Sequence, residues 1–127
     1  MKRKVINLTG VDIGVVLNPD TDEEKIVLKN YEMNSVDLCQ PNYFEISMGE
    51  SYSPLFISKR NSNVKYLLIF KIRKGVDATK VILPSVDRIV NEYEYEESKG
   101  RQPNPEKIKK IIKSNPIKEF VGEEMIA

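Results

Sequence analysis

Along the first two-thirds of the chain, apolar positions alternate with polar ones or cluster in short β-branched runs, the pattern of strands rather than helices. Val5–Leu8 and Ile13–Leu17 are two such runs split by Thr9-Gly10, a turn signal. The polar stretch NPDTDEE, residues 18–24, leads into Lys25–Lys29 with its centre Ile26-Val27-Leu28. These three runs predict a meander. Residues 31–53 are rich in Asn, Ser, Pro and Gly, with short strands expected at Val36–Cys39 and Tyr43–Ile46 on either side of Gln40-Pro41-Asn42. Leu55–Lys59 and Val64–Lys74 flank RNSN, residues 60–63, which has the length and composition of a hairpin loop. In the longer run, Tyr66, Leu68, Phe70 and Ile72 fall on one face, and Lys65, Leu67, Ile69, Lys71 and Arg73 on the other. A strand apolar on both faces at its middle belongs inside a sheet, covered on each side by helices or a second sheet.

After Gly75 the period changes. Val81–Leu83, closed by Pro84, reads as a last strand. Val86, Ile89, Val90 and Tyr93 then recur at the spacing of one helical face, with Ser85 placed to cap it. Tyr93 and Tyr95 also alternate with Glu92, Glu94 and Glu96, as in a half-exposed strand; the helical spacing over 85–97 is the stronger pattern. SKGRQPNP, residues 98–105, breaks structure, and Asn104-Pro105 opens a second helix over 105–114. The expected fold class is α+β: a mainly antiparallel sheet of five to seven strands followed by one or two C-terminal helices. Residues 1–127 form a single domain in this reading, 1–83 mostly strands and 118–127 a tail.

The second helix poses the functional question. Ile108, Ile111 and Ile112 cover an arc of about 100°, and Lys107, Lys109, Lys110 and Lys113 occupy the rest. A three-residue dry stripe suffices to dock a short helix on a sheet, and the lysines then form its wet face. Contact with nucleic acid through those four lysines is the alternative. A membrane-surface helix would carry broader Trp, Phe or Leu cover. The preceding helix holds Asp87, Glu92, Glu94, Glu96 and Glu97 against Arg88 alone, so the two helices can partly neutralise each other.

Charge adds a second candidate. Lys59, Arg60, Lys65, Lys71, Arg73 and Lys74 stand together with no acid between residues 51 and 76. Beside them, Tyr52, Phe56 and Tyr66 are the aromatic partners that such cations use to hold a phosphate-bearing ligand or a base. Otherwise the composition is ordinary: 40% hydrophobic, 31% charged and a net charge of +1 over 127 residues, which advertises no general attraction to polyanions.

Chemistry is sparse. The chain has no histidine, the commonest general base and metal ligand at neutral pH. Cys39 is the single cysteine, with no thiol partner and no zinc spacing. Asp20, Asp22, Glu23 and Glu24 are an acidic turn without the spacing of a calcium loop. No catalytic residue, metal or cofactor is assigned, and an enzyme is not expected. The longest apolar run, Leu67–Phe70, is far short of a membrane span, and the start has no apolar signal segment, so the cytoplasm is the expected location. Asn7-Leu8-Thr9 is formally a glycosylation sequon, unused in that setting.

KVINLTGVDIGVV, Lys4–Val16, resembles the opening of a group of small uncharacterised proteins encoded by bacteriophages and prophages, which begin with an INLT-type strand, a turn and a second strand. DATKVILPSVDRIV, Asp77–Val90, is similar to their later segment, a short apolar strand running into a proline and a polar turn. The two stretches span about a fifth of the 127 residues. Gly10-Val11-Asp12 stands where the group often has a histidine, and the basic C-terminal helix is an addition. The resemblance transfers no catalytic residue and implies a phage or viral accessory role. The function expected is therefore that of a non-enzymatic binding protein, a host-interaction or ligand-sequestering factor. Its partner would be a host or viral protein or a small phosphorylated ligand, with no membrane partner and a homo-oligomer open; a nucleic-acid binder is the alternative.

Overall fold

A computed structural model of the chain describes residues 3–17, 24–36, 44–46, 48–76 and 85–113. Seven strands and two helices follow in order: β1 (Arg3–Asn7), β2 (Ile13–Leu17), β3 (Glu24–Leu28), β4 (Met33–Val36), β5 (Phe44–Ile46), β6 (Tyr52–Asn61), β7 (Val64–Arg73), α1 (Val86–Ser98) and α2 (Pro105–Lys113). The fold is α+β. Its strands form two sheets, one ordered β4-β1-β7-β6 and the other β3-β2-β5. All pairs are antiparallel except β1 with β7. The expected strand Val81–Leu83, the tail 118–127, Cys39 and the acids 20–23 lie outside the described residues.

Strand β7 explains the layering. Tyr66, Leu68 and Phe70 are buried on one face in a core with Ile6, Leu8, Ile89, Val90, Tyr93, Ile108 and Ile111. Ile69 and Leu67 turn the other way and pack with Val5, Ile13, Ile26, Leu28 and Ile46. The four-stranded sheet is therefore the middle layer, with helices on one side and the three-stranded sheet on the other. Each fully buried large side chain contributes about 1.5–3 kcal/mol, so both faces of β7 matter to stability.

The meander expected for the first three runs does not form: β1 leaves its neighbour in sequence and pairs with β4 and β7. Residues 8–12 and 29–32 each carry the chain from one sheet to the other, and the two crossings lie against one another. Buried Asn7 holds them. Its Nδ2 donates to Val11 O at 2.8 Å and Leu28 O at 2.9 Å, and its Oδ1 accepts from Thr9 N at 3.0 Å. The Thr9 hydroxyl, 2.7 Å from Asn7 Oδ1 and 2.9 Å from Val11 O, donates to one of them. Asn30 joins from the second crossing, accepting from Gly10 N at 3.1 Å and donating its own N–H to Asp12 Oδ1 at 2.8 Å. Tyr31 takes a left-handed φ of 65°, unusual for a bulky residue. Its N–H bonds Asn7 O at 2.8 Å and its carbonyl accepts the Tyr93 hydroxyl at 2.6 Å, which fixes that geometry. Asn7 is fully enclosed, so the sequon is sealed in the folded chain.

Residues 85–97 are helical, as their apolar spacing predicts. Ser85 Oγ accepts from Arg88 N at 3.4 Å, and Gly100 with φ 73° closes the C-terminus. In α2, Asn104 Oδ1 accepts from Glu106 N at 2.9 Å and Pro105 opens the first turn. Ile108 and Ile111 are buried and Ile112 packs beside them, so the dry stripe docks on the sheet. The acidic and basic helices do answer each other, through Glu92 with Lys107 at 2.8 Å and Glu96 with Arg101 in the connection.

Two measurements test this account. Asn7→Ala strands buried Thr9 N and Leu28 O, and the expected loss is about 2–3 kcal/mol, read as a lower urea midpoint with an unchanged slope. Glu96 titrates below the usual carboxylate range, chiefly because Arg101 hydrogen-bonds to it. A depressed folded value means that its stabilisation is present above the unfolded value of about 4.3 and is lost as pH falls through the folded one. Glu96→Gln should flatten that acid limb in melts recorded across pH, and leave stability at pH 7 nearer to its pH 3 value than in the parent.

Candidate functional site: an interhelical groove and a divided basic cluster

Alternation along β6 and β7 splits the basic cluster between the two faces of the sheet. Lys59 and Tyr66 look toward the helices and are engaged there: Lys59 bridges Asp87 at 2.7 Å, and the Tyr66 hydroxyl donates to Glu94 Oε2 at 2.9 Å. Asn61 Nδ2 reaches the other oxygen of Glu94 at 2.6 Å. Burial, then the Glu94 carboxylate, pushes the Tyr66 hydroxyl well above its ordinary value. Tyr66 is buried in the core and unavailable for stacking on a base.

Arg60, Lys65, Lys71, Arg73, Tyr52 and Phe56 lie on the opposite face, toward the three-stranded sheet, but not in one place. Lys71 sits over the Tyr52 ring at 4.4 Å from its centroid, and Tyr52 pairs directly with Arg73. Lys65 is six residues from Lys71, roughly 20 Å along the strand. Between them Leu67 and Ile69 are covered by the three-stranded sheet. Phe56, 40% exposed, lies across from Ile69. Lys65 instead neighbours Arg60 on β6 and Arg3 on β1. Sequence reading passed over Arg3 because its approach to Lys65 depends on the long-range parallel pairing of β1 with β7.

On α2, Lys107 is held by Glu92, and Lys109 meets Glu106 at 3.3 Å and lies 5.9 Å from the Tyr31 ring. Lys110 and Lys113 are exposed. Lys110 lines a groove of about 440 Å³ between the helices, together with Arg88, Asn91, Glu92, Lys107 and Ile111. Glu92, one of the lining residues, is buried, and the hydrogen bond from Lys107 followed by the carboxylate's attraction raises the Lys107 ammonium above its ordinary value. Arg88, Lys107 and Lys110 thus line the groove beside one carboxylate, which Lys107 bridges. Sequence reading saw the lysines but not this concavity, which needs α1 and α2 brought side by side. Its remaining signal was Arg88, the lone cation of an acidic helix.

Among the described residues, no three Cys, Asp or Glu side chains gather closely enough to hold a metal ion, and no helix is long and apolar enough to cross a membrane. Compared with known proteins, the chain matches no family model, no curated protein and no solved structure.

Proposed function

We propose that the protein is a non-enzymatic binding protein that captures a small phosphorylated ligand in the groove between α1 and α2. The supporting observation is the groove itself, about 440 Å³ with Arg88, Lys107 and Lys110 around it and Ile111 as an apolar patch. That volume suits a small molecule, and a few convergent polar groups on a partly apolar wall are what such sites use for orientation. Lys107 is pre-positioned by Glu92, so it meets an anion without first losing side-chain freedom. Asn91 adds an uncharged amide able to donate or accept. A ligand-sequestering accessory role, the kind that the resemblance to phage and prophage proteins implies, is the context in which we read this capture.

Tyr66 and Tyr93 both have hydroxyls pushed far above neutrality, Tyr93 chiefly by burial, which weighs against proton transfer by either near pH 7. The nucleic-acid alternative loses support from the way the cations are engaged: Lys59 and Lys107 are paired with acids, and Lys65, Lys71 and Arg73 face away from α2.

Calorimetric titration with nucleoside phosphates and sugar phosphates tests the reading. The expected result is one saturable ligand per chain, with Lys110→Gln and Arg88→Gln each weakening it about tenfold, roughly 1.4 kcal/mol, and Lys110→Gln leaving the melting temperature unchanged. A panel with no binder, or variants that bind like the parent, overturns it. Retention of DNA or RNA on a filter, falling steeply with salt, would put the nucleic-acid reading in its place.

A further inference from the structure

The two walls of the interhelical groove are single-turn patches of opposite helices. Arg88, Asn91 and Glu92 stand at i, i+3 and i+4 on α1, and Lys107, Lys110 and Ile111 at the same spacing on α2. Glu96 meets Arg101 and Glu92 meets Lys107, so α2 advances as α1 is read backwards and the helices run antiparallel. The next turn therefore brings Arg88 of α1 to the level of Lys110 and Ile111 of α2. The groove has two unlike ends: a carboxylate end at Glu92 and a cation end at Arg88 and Lys110, one helical turn or about 6 Å apart along the axis.

The carboxylate end has an incomplete set of hydrogen bonds. Glu92 is only 8% exposed, yet among the described residues its buried Oε1 accepts no well-aligned bond. Lys107 Nζ reaches that oxygen at 2.8 Å, but its approach is bent, so the ion pair supplies charge without a directed donor. A carboxylate oxygen has two lone pairs, and a donor from a bound ligand can occupy Oε1 while Lys107 keeps its place. The donor that fits is a hydroxyl. A ligand ammonium would enter beside Lys107 and be repelled, whereas an uncharged hydroxyl makes a charge-assisted bond to the carboxylate without that cost. Arg88 and Ile111 each keep a contact of their own within the protein, and the tests below fall on Glu92 and Lys110.

We infer that Glu92 selects the ligand of the groove, and that this ligand is a polyol phosphate: its phosphate lies at the Arg88–Lys110 end and one of its hydroxyls donates to Glu92 Oε1. The inference rests on the reading of the groove as a phosphate site and adds what the rest of the ligand must carry. The distance between the ends suits a chain of a few carbons, or one sugar ring, between phosphate and hydroxyl. Ile111 offers an apolar surface to the C–H groups in between. Phosphate and carboxylate are both anions and repel, which fixes the direction of the ligand along the groove. A ligand of the same length without the hydroxyl covers Oε1 and leaves it without a donor, so it is discriminated against more strongly than by loss of a solvated contact.

The test is calorimetric titration of the full chain with glycerol 3-phosphate, ribose 5-phosphate, propyl phosphate and 3-aminopropyl phosphate. Glycerol 3-phosphate or ribose 5-phosphate is expected to bind at least tenfold tighter than propyl phosphate, and 3-aminopropyl phosphate no tighter than propyl phosphate. Glu92→Met nearly keeps the side-chain volume and removes the acceptor, so it should bring the hydroxylated ligands to within about threefold of propyl phosphate. Lys110→Gln should weaken all of them alike and preserve the ratio. That ratio is read on the parent protein, so the test stands even where Glu92→Met does not fold. Propyl phosphate bound as tightly as the hydroxylated ligands overturns this inference and leaves the phosphate reading of the groove in place. No binding by either hydroxylated ligand overturns it whatever the wider panel of phosphates shows. A hydroxyl preference that persists in Glu92→Met, or tighter binding of 3-aminopropyl phosphate, overturns it as well.

Discussion

Asn7 is the constraint from which the architecture follows. Two crossings between sheets meet at the rim of the core, where Leu8 and Thr9 are buried, and an unpaired buried amide or carbonyl costs about twice what a typical hydrogen bond returns. An asparagine has two donors and a carbonyl with two lone pairs, and here they reach Val11, Leu28 and Thr9. An aspartate of the same shape would lack both donors. Because the crossings are tied at this point, β1 is free to enter the middle sheet beside β7 while β2 and β3 form the outer one. The Tyr93 hydroxyl on Tyr31 O then couples α1 to the same knot, so the helical layer is registered on the crossings as well as on the apolar core.

That registration decides which charges remain. With α1 fixed over the sheet, Asp87, Glu94 and Glu97 reach Lys59, Tyr66 and Lys4, and Glu92 and Glu96 reach the α2 side. The acidic helix is an internal counter-ion for two neighbours at once. Pairs of this sort at a surface contribute only about 0–1 kcal/mol each, so their main consequence is the potential that they cancel. On the helix side, Lys110 stays exposed at the groove between α1 and α2.

Much of this was legible in the chain. The change from alternation to helical spacing after Gly75 located both helices, Ser85 and Asn104 marked their starts, and the two apolar faces of β7 announced a covered central strand. These signals are local, written within a few residues of the element they describe. The pairing of β1 with β7 spans some sixty residues and is decided by tertiary packing, so the first three runs looked like a meander. Of the basic residues grouped by proximity, Lys59 is sent to the helix face by the two-residue period, and Lys65 is parted from Lys71 and Arg73 on the other face by the length of β7. Conversely, Arg3 and Lys65 are distant in sequence and adjacent in the sheet. The INLT stretch carried more than its apolar pattern suggested, because Asn7 and Thr9 act through geometry that alternation does not encode.

The groove and the basic residues on the other face of the middle sheet are also separated in space. They lie on opposite sides of the middle sheet, and packed layers are about 10 Å apart, close to the screening length at physiological salt. Their fields therefore do not add into one face that would steer a long polyanion. Each acts at contact range, where the number of cations converging on a ligand and the dielectric beside them set the affinity. The groove has the buried Glu92 carboxylate in its wall, paired with Lys107, so the ligand proposed for it would have to leave that pair intact and be selected by shape as well as by charge.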